Sequence, residues 1–247
     1  MELEILRFLP ELHDRPAFQT YEVPFREDWV LLDAMNYIKD RIDGTLSYRW
    51  TCRMGVCGSC GMMVNGIPKL TCSVFLKDYY PKEIRVEPLR GFPIQRDLVV
   101  VMDDFMNKLR SVRPWIIREK DNIKPLKEGE YPQTPAEVAS YKQYSMCINC
   151  MLCYAGCPVY FQDNRFLGPA AIAISQRYNL DSRDEGQKER DKSLYSDNGV
   201  WMCTNVGECT RVCPKNVDPA GAIQRAKIPG VFNYFTDLPL PWGSKSE

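Results

Sequence analysis

Histidine is almost missing: the 247 residues hold one, His13, in a stretch bracketed by Pro10 and Pro16. The commonest general base and metal ligand is therefore all but removed, and a lone loop histidine is usually surface. Net charge is missing too. Lys plus Arg and Asp plus Glu balance at 32 each, so no global field favours nucleic acid or anionic lipid, and partners have to be recognised by shape. No apolar run is long enough to span a bilayer; Leu98 to Met102 is among the strongest and is only a strand-sized or helix-sized fragment. The start, Met1-Glu2-Leu3-Glu4, has neither the basic region nor the apolar core of a signal peptide, so the expectation is a soluble, unexported chain. No G-x-G-x-x-G or Walker pattern occurs, and the chain offers no dinucleotide fingerprint.

Cysteine, by contrast, is abundant. There are 11, an odd number in a chain without an export signal, which argues against a disulfide framework and for metal. Residues 147 to 158 read C-I-N-C-M-L-C-Y-A-G-C-P, the run of a bacterial-type ferredoxin, in which three thiolates wrap one cubane and the fourth ligates the other cluster. A partner run follows as Cys203-x2-Val206-x2-Cys209-x3-Cys213-Pro214, with valine where the second cysteine should stand. Crossed ligation then gives Cys147, Cys150, Cys153 and Cys213 to a [4Fe-4S] cluster. Cys157, Cys203 and Cys209 are left with three thiolates, which suits [3Fe-4S]; a water or outside ligand holding a fourth iron is the alternative. Zinc is the rival for C-x2-C pairs, but it would use two pairs and a spacer, not three consecutive cysteines at x2 spacing closed by Cys-Pro.

A third set lies earlier. Cys52, Cys57 and Cys60 have the C-x4-C-x2-C spacing of plant-type [2Fe-2S] ferredoxins, with Cys72 as the distant fourth ligand. Gly55, Gly58 and Gly61 let backbone N–H groups approach the sulfurs, and such bonds help set the reduction potential. Asn65-Gly66 is a type I′ hairpin signal that returns the chain to Cys72.

Around these sets the pattern predicts an α+β chain. Leu3 to Phe8 and Phe18 to Val23 form an opening hairpin. Asp28 caps a helix whose Leu31, Met35 and Ile38 share one face, and Ile84 to Glu87 is a further strand. Residues 1–100 thus make a β-grasp plant-type ferredoxin domain. Asp97 is expected to cap a helix through Val99, Met102, Met106 and Leu109, whose methionines pack in the core. Lys124 to Pro135 reads as a loop. Thr134-Pro-Ala-Glu137 is a capping box, and Gly168-Pro169 and Asp218-Pro219 start two more helices. Asp181 to Lys192 reads as a solvated, charged helix face. Residues 101–247 are thus an all-α bacterial-ferredoxin-like domain with a core of its own.

Three differently spaced cysteine sets in this order, covering essentially the whole chain, resemble the iron-sulfur subunit of the succinate dehydrogenase and fumarate reductase family. The resemblance implies an electron conduit with no catalytic residue of its own. A flavoprotein subunit with covalent FAD interconverts succinate and fumarate beside the [2Fe-2S] domain. Electrons run through [2Fe-2S], [4Fe-4S] and [3Fe-4S] to a quinone at one or two small membrane-anchor subunits. The chain itself would sit peripherally on the cytoplasmic side of the bacterial inner membrane. Gln162 and Thr204 stand where ubiquinone-linked members place tryptophan and histidine, which resembles bacterial fumarate reductase and its menaquinone; the succinate dehydrogenase direction is the alternative. Gln224 and Lys227 match the residues that approach the quinone. A free-standing multi-cluster ferredoxin, or a module stapled by its clusters, are the readings from other classes.

Overall fold

The computed structural model describes residues 1–119 and 122–237. Strands β1 (Glu2–Arg7) and β2 (Ala17–Glu22) pair antiparallel, with Leu3 opposite Tyr21 and Ile5 opposite Gln19. His13 closes the loop between them, its Nδ1 accepting from the Leu9 N–H at 3.2 Å. Strand periodicity puts Leu3, Ile5 and Arg7 on the inward face of β1, so a cation enters the core and needs partners there.

Helix α1 (Leu31–Arg41) buries Leu31, Met35 and Ile38 together with Leu32 and Ala34. Its cap differs from expectation. The helix begins at Leu31, beyond Asp28, and the Asp33 carboxylate accepts from the Val30 N–H at 3.1 Å. Strands β3 (Gly61–Val64) and β4 (Ile67–Leu70) form the expected hairpin, with positive φ at both Asn65 (47°) and Gly66 (78°) as a type I′ turn requires. Strand β5 (Ile84–Glu87) lies parallel to β1 and antiparallel to β3, which completes a sheet of order β2-β1-β5-β3-β4. Leu3, Ile5, Met62, Val64, Ile84 and Val86 pack on α1 as one cluster, each fully buried aliphatic contributing about 1.5–3 kcal/mol.

The segment after Arg96 corrects a second expectation. Val99–Val100 is strand β7, paired with β6 (Ile94–Arg96), and helix α2 begins only at Asp103 and runs to Ser111. Asp97 caps nothing. It sits fully buried at φ 44°, where its carboxylate accepts from Arg7 Nε at 3.0 Å, Phe8 N at 2.8 Å and Ser47 N at 2.9 Å. The buried cation on β1 recruited an aspartate 90 residues away. Of the three methionines expected in the core, Met35 is fully buried, Met102 partly so, and Met106 is exposed.

From Asp103 to Asp237 the described residues form helices and loops. Helix α3 (Pro135–Tyr141) has its capping box: Thr134 Oγ1 accepts from Glu137 N at 3.3 Å, and Glu137 accepts from Thr134 N at 2.6 Å. Short helices α4 (Leu152–Ala155), α5 (Pro158–Gln162) and α8 (Glu208–Arg211) follow cysteines, and α6 (Pro169–Asn179) and α9 (Pro219–Asp237) start at the predicted prolines. Helix α7 (Gln187–Leu194) is not simply a solvated face. Arg190 is fully buried against Asp184 at 2.6 Å and the carbonyls of Arg113 and Trp115, and Asp181 is buried with Arg177 and Arg183. Buried charges of this kind are paired because an unpaired one is prohibitively costly.

The first half has the core packed on α1, but the helical half does not have a core to itself. One cluster joins Leu32, Cys60, Leu70 and Phe92 to Phe105, Leu152, Tyr154, Ile172 and Ile223. Within it Phe92 packs against Tyr160 and Tyr154, with ring centres 5.4 and 6.3 Å away, and Tyr154 packs edge-on against Phe105 and Tyr160 at 5.1 and 4.9 Å. Aromatic surface of each half is buried against the other.

Candidate metal centres

Cys52, Cys57, Cys60 and Cys72 come from one loop and the end of the β3–β4 hairpin. The hairpin carries Cys72 back: Thr71 N donates to the Cys60 carbonyl at 3.1 Å. Positive φ at Arg53, Gly55 and Gly58 curls the loop so that its N–H groups point inward. Cys52 Sγ accepts from Met54 N at 3.4 Å and from Val56 N and Cys57 N at 3.3 Å. Those donors lower the Cys52 thiol to about 6, so this sulfur is poised as thiolate. Cys72 is pushed the other way, to about 11, by burial and by Cys60 beside it.

The second set gathers from distant sequence. Cys147, Cys150, Cys153 and Cys213 line one cavity with Ile148, Met151 and Val217. Val217 N donates to Cys213 Sγ at 3.3 Å. The third set is Cys157, Cys203 and Cys209, which line a separate cavity with Thr204, Val206 and Ile223. Here Asn205 N donates to Cys203 Sγ at 3.4 Å and Tyr160 N to Cys157 Sγ at 3.5 Å. Burial drives the Cys150 and Cys209 thiols up to about 12 and raises Cys147, Cys153 and Cys157 as well. Thiolates at such depth need cationic metal for compensation, and loading it releases their protons.

The donor chemistry fits clusters. Every candidate ligand in the three sets is a cysteine thiol, and soft thiolates in sets of four, four and three suit several irons bridged by sulfide. Among the described residues no three His, Cys, Asp or Glu side chains are grouped as ligands of a single ion. Backbone N–H groups already point at the sulfurs of Cys52, Cys157, Cys203 and Cys213, as hydrogen bonds to cluster thiolates do.

The two ferredoxin-type runs share one backbone path. Asn149 and Asn205 have φ of 53° and 60°, Met151 and Gly207 have φ of 64° and 83°, and each run then enters a four-residue helix, α4 or α8, before Cys-Pro. Val206 therefore occupies the place that Cys150 takes in the first run. It is 58 % exposed at the lip of the third cavity.

Helix α9 carries Gln224 and Lys227 and brings Lys227 beside the third set. Lys227 Nζ donates to the Cys203 carbonyl at 2.9 Å, while Gln224 Nε2 is buried with no hydrogen-bond partner among the described residues. Phe161, Trp201, Val206 and Ile228 are exposed on the same flanking segments. Trp201 escaped the sequence reading although it stands two residues before Cys203. No helix among the described residues is long and apolar enough to cross a membrane.

Comparison with known proteins agrees with this geometry. A family described as "2Fe-2S iron-sulfur cluster binding domain" matches residues 2–107, and one described as "4Fe-4S dicluster domain" matches residues 143–217. The fumarate reductase iron-sulfur subunit of Mycobacterium tuberculosis (strain CDC 1551 / Oshkosh) is 57 % identical over 98 % of this chain and 97 % of its own. This chain belongs to the family of fumarate reductase and succinate dehydrogenase iron-sulfur subunits. Within the family, the fumarate reductase subunit of Haemophilus influenzae is 48 % identical over 98 % of both chains. The succinate dehydrogenase subunit of Coxiella burnetii is 36 % identical over 92 % of this chain and 95 % of its own. Among solved structures, a chain of the Mycobacterium smegmatis Sdh1 complex in the apo form superposes with a TM-score of 0.81 at 25 % identity, covering 96 % of this chain and 98 % of that one. The α+β architecture and the pairing of a [2Fe-2S] domain with a [4Fe-4S] dicluster domain are thus those of the family.

Proposed function

We propose that this chain is the electron-transfer subunit of a membrane-bound quinol:fumarate reductase, holding [2Fe-2S] on Cys52, Cys57, Cys60 and Cys72, [4Fe-4S] on Cys147, Cys150, Cys153 and Cys213, and [3Fe-4S] on Cys157, Cys203 and Cys209. The observation that carries it is the sorting of all eleven thiols into three separate groups, two of which ring their own cavities. Bound clusters supply reversible one-electron chemistry, with potentials set by cluster type, charge and hydrogen bonds to sulfur. The chain's own contribution is placement. It buries Cys153, Cys157 and Cys209, leaves Cys57 at the surface, and gives Cys52 three N–H donors that stabilise added negative charge.

The division near residue 100 separates two outer faces. On residues 1–100 the exposed Met54 and Val56 flank Cys52 and Cys57, a face suited to the flavoprotein subunit and its covalent FAD. On residues 101–247 the exposed Phe161, Trp201, Val206 and Ile228 surround the third set and suit one or two small anchor subunits, which would hold the chain at the cytoplasmic side of the bacterial inner membrane. Gln224 and Lys227 at that end would meet the quinone. A quinone gaining electrons also gains protons, and a cationic donor stabilises the charge that develops on its oxygen in between. Gln162 and Thr204, together with the fumarate reductase subunits among the relatives, favour menaquinone and the fumarate-reducing direction.

Val206→Cys tests the ligand scheme. It restores the missing thiol on a backbone path that already matches Cys150, at an exposed position whose change costs within about 0.5 kcal/mol. Anaerobic EPR and iron analysis of the purified complex should show the three-iron signal replaced by a [4Fe-4S] centre of lower potential. A variant with the three-iron signal and iron content of the wild type sinks the scheme.

A further inference from the structure

The halves touch at an unusual place. A Cβ built on Gly58 would lie 2.8 Å from Cys150 Cβ, 2.9 Å from the Ile148 carbonyl and 3.0 Å from Cys150 Cα. One built on Gly61 would lie 3.1 Å from the Cys150 carbonyl and 3.0 Å from Leu152 Cδ2. Real Cβ atoms essentially never come as close as a Cβ on Gly58 would and only rarely as close as one on Gly61, so the loop carrying Cys57 and Cys60 lies against the loop carrying Cys150 because Gly58 lacks a side chain, with Gly61 adding a tighter-than-usual fit. Gly55, in the same loop and also at positive φ, has nothing within 4 Å of its Cβ position. A narrow crevice lined by Arg49, Ser59, Gly61, Cys150 and Met151 runs along the same seam. Glycine thus serves this loop in two ways: for conformation at Gly55 and Gly58, both at positive φ, and for contact at Gly58 and Gly61.

We propose that Gly58 and Gly61 are positioning residues for electron transfer, setting the gap between the [2Fe-2S] and [4Fe-4S] centres by letting their cysteine loops meet without an intervening side chain. This rests on the ligand sets above. Tunnelling probability decays exponentially with separation, so a Cβ wedge at this seam slows transfer without touching a ligand. Gly58→Ala faces unyielding backbone and a cysteine Cβ. Gly61→Ala faces one carbonyl and the movable end of a leucine, without positive φ. The first should widen the gap more than the second.

The test uses the purified complex with its partner subunits. EPR of the fully reduced complex reads how strongly the neighbouring [4Fe-4S] centre speeds relaxation of the [2Fe-2S] signal. Freeze-quenched single-turnover samples read the delay between reduction of the [2Fe-2S] centre and of the three-iron centre. Expected are weaker relaxation coupling and a severalfold longer delay in Gly58→Ala, a smaller shift of the same sign in Gly61→Ala, and partial recovery in Gly61→Ala with Leu152→Ala. Gly129→Ala, which carries backbone strain at a φ of 86° but meets no atom within 4 Å and lies outside the cysteine loops, should behave as the wild type. If Gly58→Ala fails to assemble, Gly61→Ala and its recovery decide. Wild-type coupling and delay in a fully loaded Gly61→Ala complex, or an equal change in Gly129→Ala, overturns the proposal. Cys150→Ala separates the two readings: it leaves Cys147, Cys153 and Cys213 as three thiolates, so a [4Fe-4S] EPR signal identical in shape and potential to the wild type breaks the ligand assignment, whatever the glycine variants do.

Discussion

Replacing Asp97 with alanine removes a carboxylate that is 0 % exposed and faces a guanidinium, on Arg7, that is 4 % exposed. Three donors lose their acceptor: the guanidinium and the N–H groups of Phe8 and Ser47. Breaking one side of a buried pair costs about 3–5 kcal/mol. The lower end applies, because Arg7 keeps Asp43, Gln19, Tyr21 and Thr45. A cost of about 3 kcal/mol lowers the apparent Tm of a chain this long by roughly 10 °C. Asp97→Asn holds the positive φ of 44° without the penalty that alanine carries there and retains an acceptor, so it should lose about half as much. The Ser47 N–H anchors the segment that runs on to Cys52, and the [2Fe-2S] signal should disappear at correspondingly lower temperature. Anaerobic thermal unfolding of the complex, followed by visible circular dichroism, measures both. An alanine variant within about 2 °C of the wild type would refute the account of this buried network.

Two further outcomes follow from other parts of the chain. Lys227→Leu removes the Nζ bond to the Cys203 carbonyl and should cut quinone-linked turnover severely while turnover with an artificial dye stays nearly intact; equal loss in both assays makes Lys227 structural, and no loss in either places the quinone elsewhere. Burial alone would raise the Asp43 pKa, but hydrogen bonds from Thr45, Tyr21 and Arg7 outweigh it and hold the carboxylate well below its usual range. A depressed folded value means that its stabilisation is fully present above the ordinary aspartate pKa of about 3.9 and is lost as pH falls below it. The stability difference between wild type and Asp43→Asn should therefore be constant from about pH 7 to 5 and shrink below about pH 4, whereas a difference that does not change with pH assigns Asp43 no such role.

What the sequence determined by itself was local. The spacings of the cysteines specify thiol sets within single loops, and Asn65-Gly66, Thr134 with Glu137, Pro169 and Pro219 act on backbone groups within four residues of themselves. Such short-range signals carry their outcome with them, so the hairpin and the starts of α3, α6 and α9 were legible. The assignment of Cys213 to the first run and of Cys157 to the second is proposed from the repeated spacing of the two runs, which follow one backbone path. Asp97 reads locally as a helix cap, Arg190 as part of a charged face and Met106 as core. Each was decided elsewhere. Asp97 answers a cation on β1, Arg190 is enclosed by carbonyls of Arg113 and Trp115, and Met106 lies on the side of α2 that nothing covers. The shared core and the glycine seam at Cys150 are likewise products of docking one half on the other. A buried charge or a missing Cβ takes its meaning from whatever atoms the fold brings within a few ångströms, and no pattern of neighbours along the chain contains that information.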